Sequence, residues 1–173
     1  MESILIIDDE INIRNSLEDI LNDEGYKVFS TSNGMDGLDI LEKNIIDIVL
    51  LDVKLPKMNG LEVLEKINEN LNNLEIIMIS GHSNIEIAVK ATRLGAFDFL
   101  EKPFELEKVV LSVKNACEKL RLKRKTESLI KSSKYQQEII GDSKEIKRIM
   151  KQIKKAAPTN GTVLISGESG VGK

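Results

Sequence analysis

The chain has 173 residues, room for one domain or one and a half, and its 41% hydrophobic and 31% charged content is that of an ordinary soluble globular protein. No apolar run reaches the length of a membrane helix, Met1 leads into a strand rather than a signal peptide, and one cysteine, Cys117, excludes an internal disulfide and fits a reducing cytoplasm. The net charge of −3 hides two unlike parts: residues 1–120 carry 12 Lys and Arg against 23 Asp and Glu, and residues 121–173 carry 13 against 5, a basic excess that suits nucleic acid or solvated helix faces alike.

Ile4–Ile7 is an apolar run that ends in Asp8-Asp9-Glu10. Such runs indicate strands buried on both faces. A helix is expected over Glu10–Glu24, with Ile13, Leu17, Ile20 and Leu21 on one face, closed by Gly25. Tyr26–Ser30 reads as a second strand, with Tyr26, Val28 and Ser30 alternating against Lys27 and Phe29. Ser32-Asn33-Gly34 is a turn, and the helix after it faces Leu38 and Leu41 inward. Ile48-Val49-Leu50-Leu51 is the third strand and ends at Asp52. Pro56, Asn59 and Gly60 then turn the chain into a helix that buries Leu61, Leu64 and Ile67.

A fourth strand, Glu75–Ser80, ends in a hydroxyl and Gly81. The helix after it, near Ser83–Leu94, takes its core face from Ile85, Ala88 and Val89, and Gly95 closes it. The last strand, Phe97–Leu100, leads to Glu101-Lys102-Pro103. Extended backbone before the proline holds Lys102 along the strand direction. Strands alternating with helices predict a parallel sheet covered on both faces. Its ligands bind beyond the carboxyl ends of the strands, and there the sequence offers Asp8, Asp9, Asp52, Ser80 and Lys102. An Asp at a strand end is more often a turn residue or helix cap. Three such acids brought together are costly without a cation among them, and an oxygen-only site suits magnesium.

Asp8-Asp9, LLDVKLPKMNG around Asp52, Ser80-Gly81 and Lys102-Pro103-Phe104, in this order, give residues 1–120 a resemblance to the receiver domain of response regulators. The resemblance implies a flavodoxin-like fold of five βα units with strand order 2-1-3-4-5. It implies that Asp52 accepts a phosphoryl group from a sensor histidine kinase, with Lys102 and Ser80 contacting that group. Magnesium would be held by Asp8, Asp9, Asp52 and the Lys54 carbonyl, and the Lys102–Pro103 bond would be cis. Phe99 matches the family's switch aromatic, although ordinary core packing explains it equally well. His82 reads as a loop residue rather than a ligand.

The fifth helix starts at Glu105 and is expected to run to about Lys131. Leu106, Val109, Val110, Val113, Cys117 and Leu120 keep helical spacing, and Leu122 and Leu129 follow one heptad apart. Five strands are about 17 Å long, which a helix crosses in about twelve residues. On that count the sheet is covered by about Ala116. Cys117, Leu120, Leu122 and Leu129 are then left for a second copy in a coiled coil, the alternative being a solvated linker helix.

Beyond a loop, a helix over Lys144–Ala157 is expected, capped by Asp142 or Ser143, with Ile146, Ile149, Met150 and Ile153 inward. A strand over 162–166 leads to Gly167-Glu-Ser-Gly170-Val-Gly172-Lys173, a phosphate-cradling G-x-x-x-x-G-K loop. IIGDS, the helix and TVLISGESGVGK together resemble the start of the AAA+ domain of NtrC-family, sigma-54-dependent activators.

The resemblances imply a receiver over 1–120, a helical linker over 121–138 and the beginning of an ATPase domain over 139–173. ATP, sigma-54 RNA polymerase and DNA would be engaged only by parts further along a full-length protein. The expected partners of this chain are the kinase and a second copy, through the linker helix and the surface of helix four, strand five and helix five. The expected location is the cytoplasm, with no membrane contact. The competing readings are a P-loop ATPase, not expected to turn over in 173 residues, and a stand-alone receiver.

Overall fold

The computed structural model describes residues 2–70, 73–81, 85–136, 143–158 and 164. Two compact units divide the chain, Met1–Ser128 and Leu129–Lys173.

In the first unit, strands β1 (Ser3–Ile7), β2 (Lys27–Thr31), β3 (Ile48–Asp52), β4 (Glu75–Ser80) and β5 (Asp98–Glu101) form one sheet. The order is β2-β1-β3-β4-β5 and every pairing is parallel, as the flavodoxin-like expectation had it. Helices α1 (Ile11–Asp23), α2 (Gly34–Lys43), α3 (Gly60–Asn70), α4 (Ile85–Arg93) and α5 (Leu106–Gln136) make the crossovers and the final return.

The inner strands explain the unbroken apolar runs. Every residue of β3 and β4 is buried. Alternate residues of one strand face opposite sides of a sheet. Leu5, Ile7, Val49, Leu51, Ile76 and Met78 therefore pack with Leu61, Val63, Leu64, Ile67 and Ala91 of α3 and α4. Ile4, Ile6, Ile48, Leu50, Ile77 and Ile79 pack with Leu17, Leu21, Val109, Val113 and Ala116 of α1 and α5. Each fully buried Leu or Ile contributes about 1.5–3 kcal/mol, so this double layer carries the unit. The edge strand β2 divides its apolar residues between the layers: Phe29 joins the first, Tyr26 beside it and Val28 the second.

Two expectations fail on the helices. The core face of α4 is Ile87, Ala91 and the following Leu94, while Ile85 is 82% exposed and Val89 is exposed too. The two stripes are both helical in period, and the sheet's position selects between them. On α5 the receiver's own core reaches further than strand length allows. Leu120 is 2% exposed, and Cys117 packs on the α1/α5 layer. The helix lies along the loops below the strands as well as the strands. Lys119 pairs with the buried Glu75 at 2.9 Å, and Arg124 pairs with the buried Asp47 at 2.8 Å and donates to the Asn73 carbonyl at 3.2 Å. Asp47 also accepts the Ser3 N–H at 2.8 Å, tying the start of β1 to the same corner.

Burial pushes the Cys117 thiol up to about 11, the Glu2 and Asp47 carboxylates add to this, and Arg124 opposes it. A raised pKa keeps the thiol protonated at neutral pH. Alkylation by iodoacetamide at pH 8 should run about a hundredfold slower than for a free thiol and rise about tenfold per pH unit until near 11. Mass spectrometry against pH reads this directly, and a rate equal to that of a free thiol contradicts it.

Lys57, in the loop after β3, has φ 70°, the left-handed region. A side chain there costs about 1–2 kcal/mol, and glycine gives back about 0.5–1 of that in unfolded-chain entropy. Lys57→Gly should therefore raise stability by about 0.5–1 kcal/mol in urea unfolding, and a loss of stability would refute the reading.

In the second unit, α6 (Lys144–Ala156) is capped by Ser143, whose hydroxyl accepts the Ile146 N–H at 3.2 Å. Its expected inward stripe has no covering layer among the described residues: Ile149 and Ile153 are exposed and Ile146 and Met150 half-buried. The strand expected over 162–166 lies, but for Leu164, outside the described residues. No helix among the described residues is long and apolar enough to cross a membrane.

Candidate phosphoryl-acceptor site

The strand order changes direction between β1 and β3, so the carboxyl ends of these neighbours open a crevice. Ile7 pairs with Leu51 in register, which places Asp8 and Asp52 side by side one residue further on. On the other flank, Ser80 pairs with Glu101, and the Lys102 N–H continues the ladder onto the Ser80 carbonyl at 2.7 Å. Lys102 thus enters the crevice from β5 beside the buried Ser80. The Lys102–Pro103 bond is cis.

Asp8 and Asp52 are used alike. In each, Oδ1 accepts the backbone N–H two residues on: Glu10 N–H at 2.9 Å for Asp8 and Lys54 N–H at 3.0 Å for Asp52. This local bond fixes both carboxylates and turns both Oδ2 atoms toward the Lys102 ammonium, each at 2.7 Å. Asp52 Oδ2 accepts an aligned hydrogen bond from Lys102. Asp8 Oδ2, fully buried, meets the ammonium as an ion pair without an aligned donor. Burial raises the Asp8 pKa, Lys102 and the Glu10 N–H work against this, and Asp52 adds to the rise. Burial alone would lower the pKa of Lys102. Its contacts with the Asp52, Asp8 and Glu10 carboxylates outweigh that and raise it, so Lys102 stays an ammonium.

The third acid at the ammonium is Glu10, at 2.9 Å; Asp9 is exposed. The chain bends at Asp9, the Glu10 N–H bonded to Asp8 Oδ1 closes that bend, and Glu10 reaches the same ammonium as Asp8. The run Asp8-Asp9-Glu10 held the candidates without ranking them. Asp8, Glu10 and Asp52 offer ligand atoms within 4.8 Å of one another. The two buried carboxylates, one with an oxygen lacking an aligned donor, fit a hard divalent cation, with the exposed Glu10 beside them.

Gly60 was expected only to turn the chain. A Cβ there would lie 2.0 Å from the Asp52 carbonyl oxygen. The Gly60 N–H donates to the Val53 carbonyl at 2.8 Å, so the loop is pressed against the strand that carries Asp52. Phe99 is half-buried against the α2/α3/α4 layer. His82 and the loop residues Gly167, Gly170, Gly172 and Lys173 lie outside the described residues.

Residues 4–114, most of the chain, match the response regulator receiver domain. The chain belongs to the response regulator receiver family. Residues 139–173 of this response regulator match the sigma-54 interaction domain. A putative NtrX-like response regulator from Rickettsia bellii is 38% identical over 98% of the chain and 36% of its own length. The chain thus spans about a third of that curated relative. The crystal structure of NtrX from Brucella abortus superposes with a TM-score of 0.73 at 36% identity, covering 92% of this chain and 36% of that one. The solution structure of the beryllofluoride-activated NtrC4 receiver domain dimer superposes with a TM-score of 0.67 at 35% identity, covering 69% and 99%.

Proposed function

We propose that this response regulator takes a phosphoryl group on Asp52 from a phosphohistidine of a sensor kinase and so controls assembly of an attached sigma-54-type AAA+ activator. The observation that carries the reading is the convergence of Asp52 Oδ2 and Asp8 Oδ2 on Lys102 at the open end of the sheet. A carboxylate oxygen of Asp52 attacks phosphorus. The P–N bond breaks, and the imidazole nitrogen keeps the electron pair. The Lys102 ammonium neutralises charge on the transferred group and the Ser80 hydroxyl donates to it.

Magnesium would be held by Asp8 and Asp52 together with Asp9 and the Lys54 carbonyl, and it supplies charge neutralisation on the phosphoryl oxygens. Phe99, on β5 three residues before Lys102, is the residue expected to rotate when Ser80 is drawn toward the phosphoryl group. The protein is read as cytoplasmic, as suits a partner of a kinase's phosphorylated domain. Residues 1–120 are the receiver, 121–138 the linker and 139–173 the opening of the ATPase. Gly167, Gly170, Gly172 and Lys173 would hold ATP phosphates in a longer protein, supported by the sigma-54 interaction match over 139–173. The regulatory chain itself is proposed to transfer no further than Asp52.

Self-association is proposed through α5 beyond the receiver core. Leu122 and Leu129 are 58% and 60% exposed and one heptad apart. The α4/β5/α5 face, with Ile85, Val89 and Leu111 exposed, is the surface that phosphorylation would alter.

Acetyl phosphate with magnesium should add one phosphoryl mass, mapped to the peptide that contains Asp52. In sedimentation, the chain at tens of micromolar should be dimeric, and Leu122→Asn with Leu129→Asn monomeric. Substitution is preferred to truncation at Leu120, which would also remove the Arg124–Asp47 pair. A mass addition elsewhere overturns the acceptor, and a monomer before and after substitution overturns the linker dimer.

A further inference from the structure

Three carboxylates share one ammonium in this site, and they are not equivalent. Asp8 and Asp52 are buried, with side chains 0% and 4% exposed, while the Glu10 side chain is 58% exposed and reaches Lys102 from the rim. Each buried carboxylate is pinned by the backbone N–H two residues on, Glu10 for Asp8 and Lys54 for Asp52, so neither can follow the ammonium if it moves. Glu10 has no such bond among its described contacts and has a longer side chain. Asp8 Oδ2 is buried and meets the Lys102 ammonium at 2.7 Å without an aligned donor.

A divalent cation on Asp8 and Asp52 repels the ammonium that both now hold. Lys102 must then leave the two Oδ2 atoms, and an unanchored lysine on a four-carbon stem would disperse into solvent. Glu10 is placed to prevent that, being bonded to the same Nζ at 2.9 Å from outside the buried pair.

We propose that Glu10 is a positioning residue that receives the Lys102 ammonium when a divalent cation takes Asp8 and Asp52, which frees the Asp52 oxygen for attack while Lys102 stays at the mouth of the site. This rests on Asp52 as phosphoryl acceptor. In the transfer from acetyl phosphate, an Asp52 oxygen bonds to phosphorus, the bond to the acetyl oxygen breaks, and acetate leaves with the electron pair. Glu10 takes no part in these bonds. It acts through Lys102.

The test uses the 173-residue chain labelled with 15N-lysine, the Nζ resonance of Lys102 being assigned by its loss in Lys102→Arg. With magnesium and no phosphoryl donor, the wild-type resonance should shift and stay protected from water exchange. In Glu10→Gln and Glu10→Asp it should lose protection. The aspartate keeps the charge but is one methylene too short, so it separates positioning from simple attraction. With acetyl phosphate at saturating magnesium, both variants should be slowed about two- to fivefold, the range that loss of one partly exposed charged contact allows. Only the glutamine should also weaken magnesium half-saturation. Wild-type behaviour of the Nζ resonance and the rate in Glu10→Asp overturns the proposal, as does wild-type behaviour in Glu10→Gln. The resonance is read without a donor, so it stands or falls apart from the acceptor reading, which fails instead if wild-type chain takes no phosphoryl group on Asp52.

Discussion

Asp52→Asn should abolish phosphorylation by acetyl phosphate and abolish the spectral response to beryllofluoride with magnesium, while the fold persists. The amide fits the space of the carboxylate, and its oxygen can still accept the Lys54 N–H that Oδ1 accepts at 3.0 Å. The other position changes in kind. An N–H₂ would face the Lys102 ammonium where Oδ2 now lies at 2.7 Å, so the variant loses both the nucleophile and one ligand for a cation. Lys102 keeps Asp8 and Glu10. Removal of one of three crowded negative charges relieves repulsion, so the thermal midpoint should hold or rise. In wild-type protein, beryllofluoride should shift resonances near Ser80 and Phe99. Persistence of that shift in Asp52→Asn, or phosphoryl transfer to it at the wild-type rate, would sink the assignment.

Gly60→Ala should carry the largest stability loss of any single methyl addition near the site. The new Cβ would meet three backbone atoms at the end of β3: the Asp52 carbonyl oxygen at 2.0 Å, and the Asp52 carbonyl carbon and Val53 Cα at 2.9 Å each. None of these can rotate away as a side chain could. The loop must lift, which stretches the Gly60 N–H bond to Val53 and moves the backbone that aims Asp52. Overpacking of this kind costs about 3 kcal/mol. A displacement of about 1 Å at a reacting group can slow transfer by as much as a hundredfold. Gly81→Ala is the control, because a Cβ there meets nothing within 4 Å. Urea unfolding and phosphorylation kinetics on both variants decide. Gly60→Ala with the stability and kinetics of Gly81→Ala would refute the argument.

Central strands were legible because burial on both faces leaves an unbroken apolar run, as in Ile48–Leu51, and the polar residue that ends the run marks the open edge of the sheet. Asp52 and Ser80 were found in this way, and Lys102, after the edge strand β5, by the proline that follows it. Amphipathic helices were less determinate. On α4, the stripe of Ile85, Ala88 and Val89 competed with that of Ile87, Ala91 and Leu94, and periodicity alone could not rank them. The site's third acid was hidden by a similar ambiguity. Asp9 and Glu10 are both acids after a strand, and only the folded chain, bent at Asp9 and closed by the Glu10 N–H on Asp8, brings Glu10 to Lys102.

The sequence by itself determined the five βα units, their parallel sheet and the set of charged groups at the strand ends, because each depends on residues close together in the chain. Only the tertiary structure decided what those groups do to one another. Lys102 meets Glu10 and Asp52 across 92 and 50 residues, Arg124 and Lys119 find the buried Asp47 and Glu75 and so carry α5 past the end of the strands, and Gly60 proves to be a matter of backbone clearance at Asp52. Coulomb attraction, desolvation and steric contact act over a few ångströms in space, and spacing along a chain does not report separations in space once the chain has crossed the sheet.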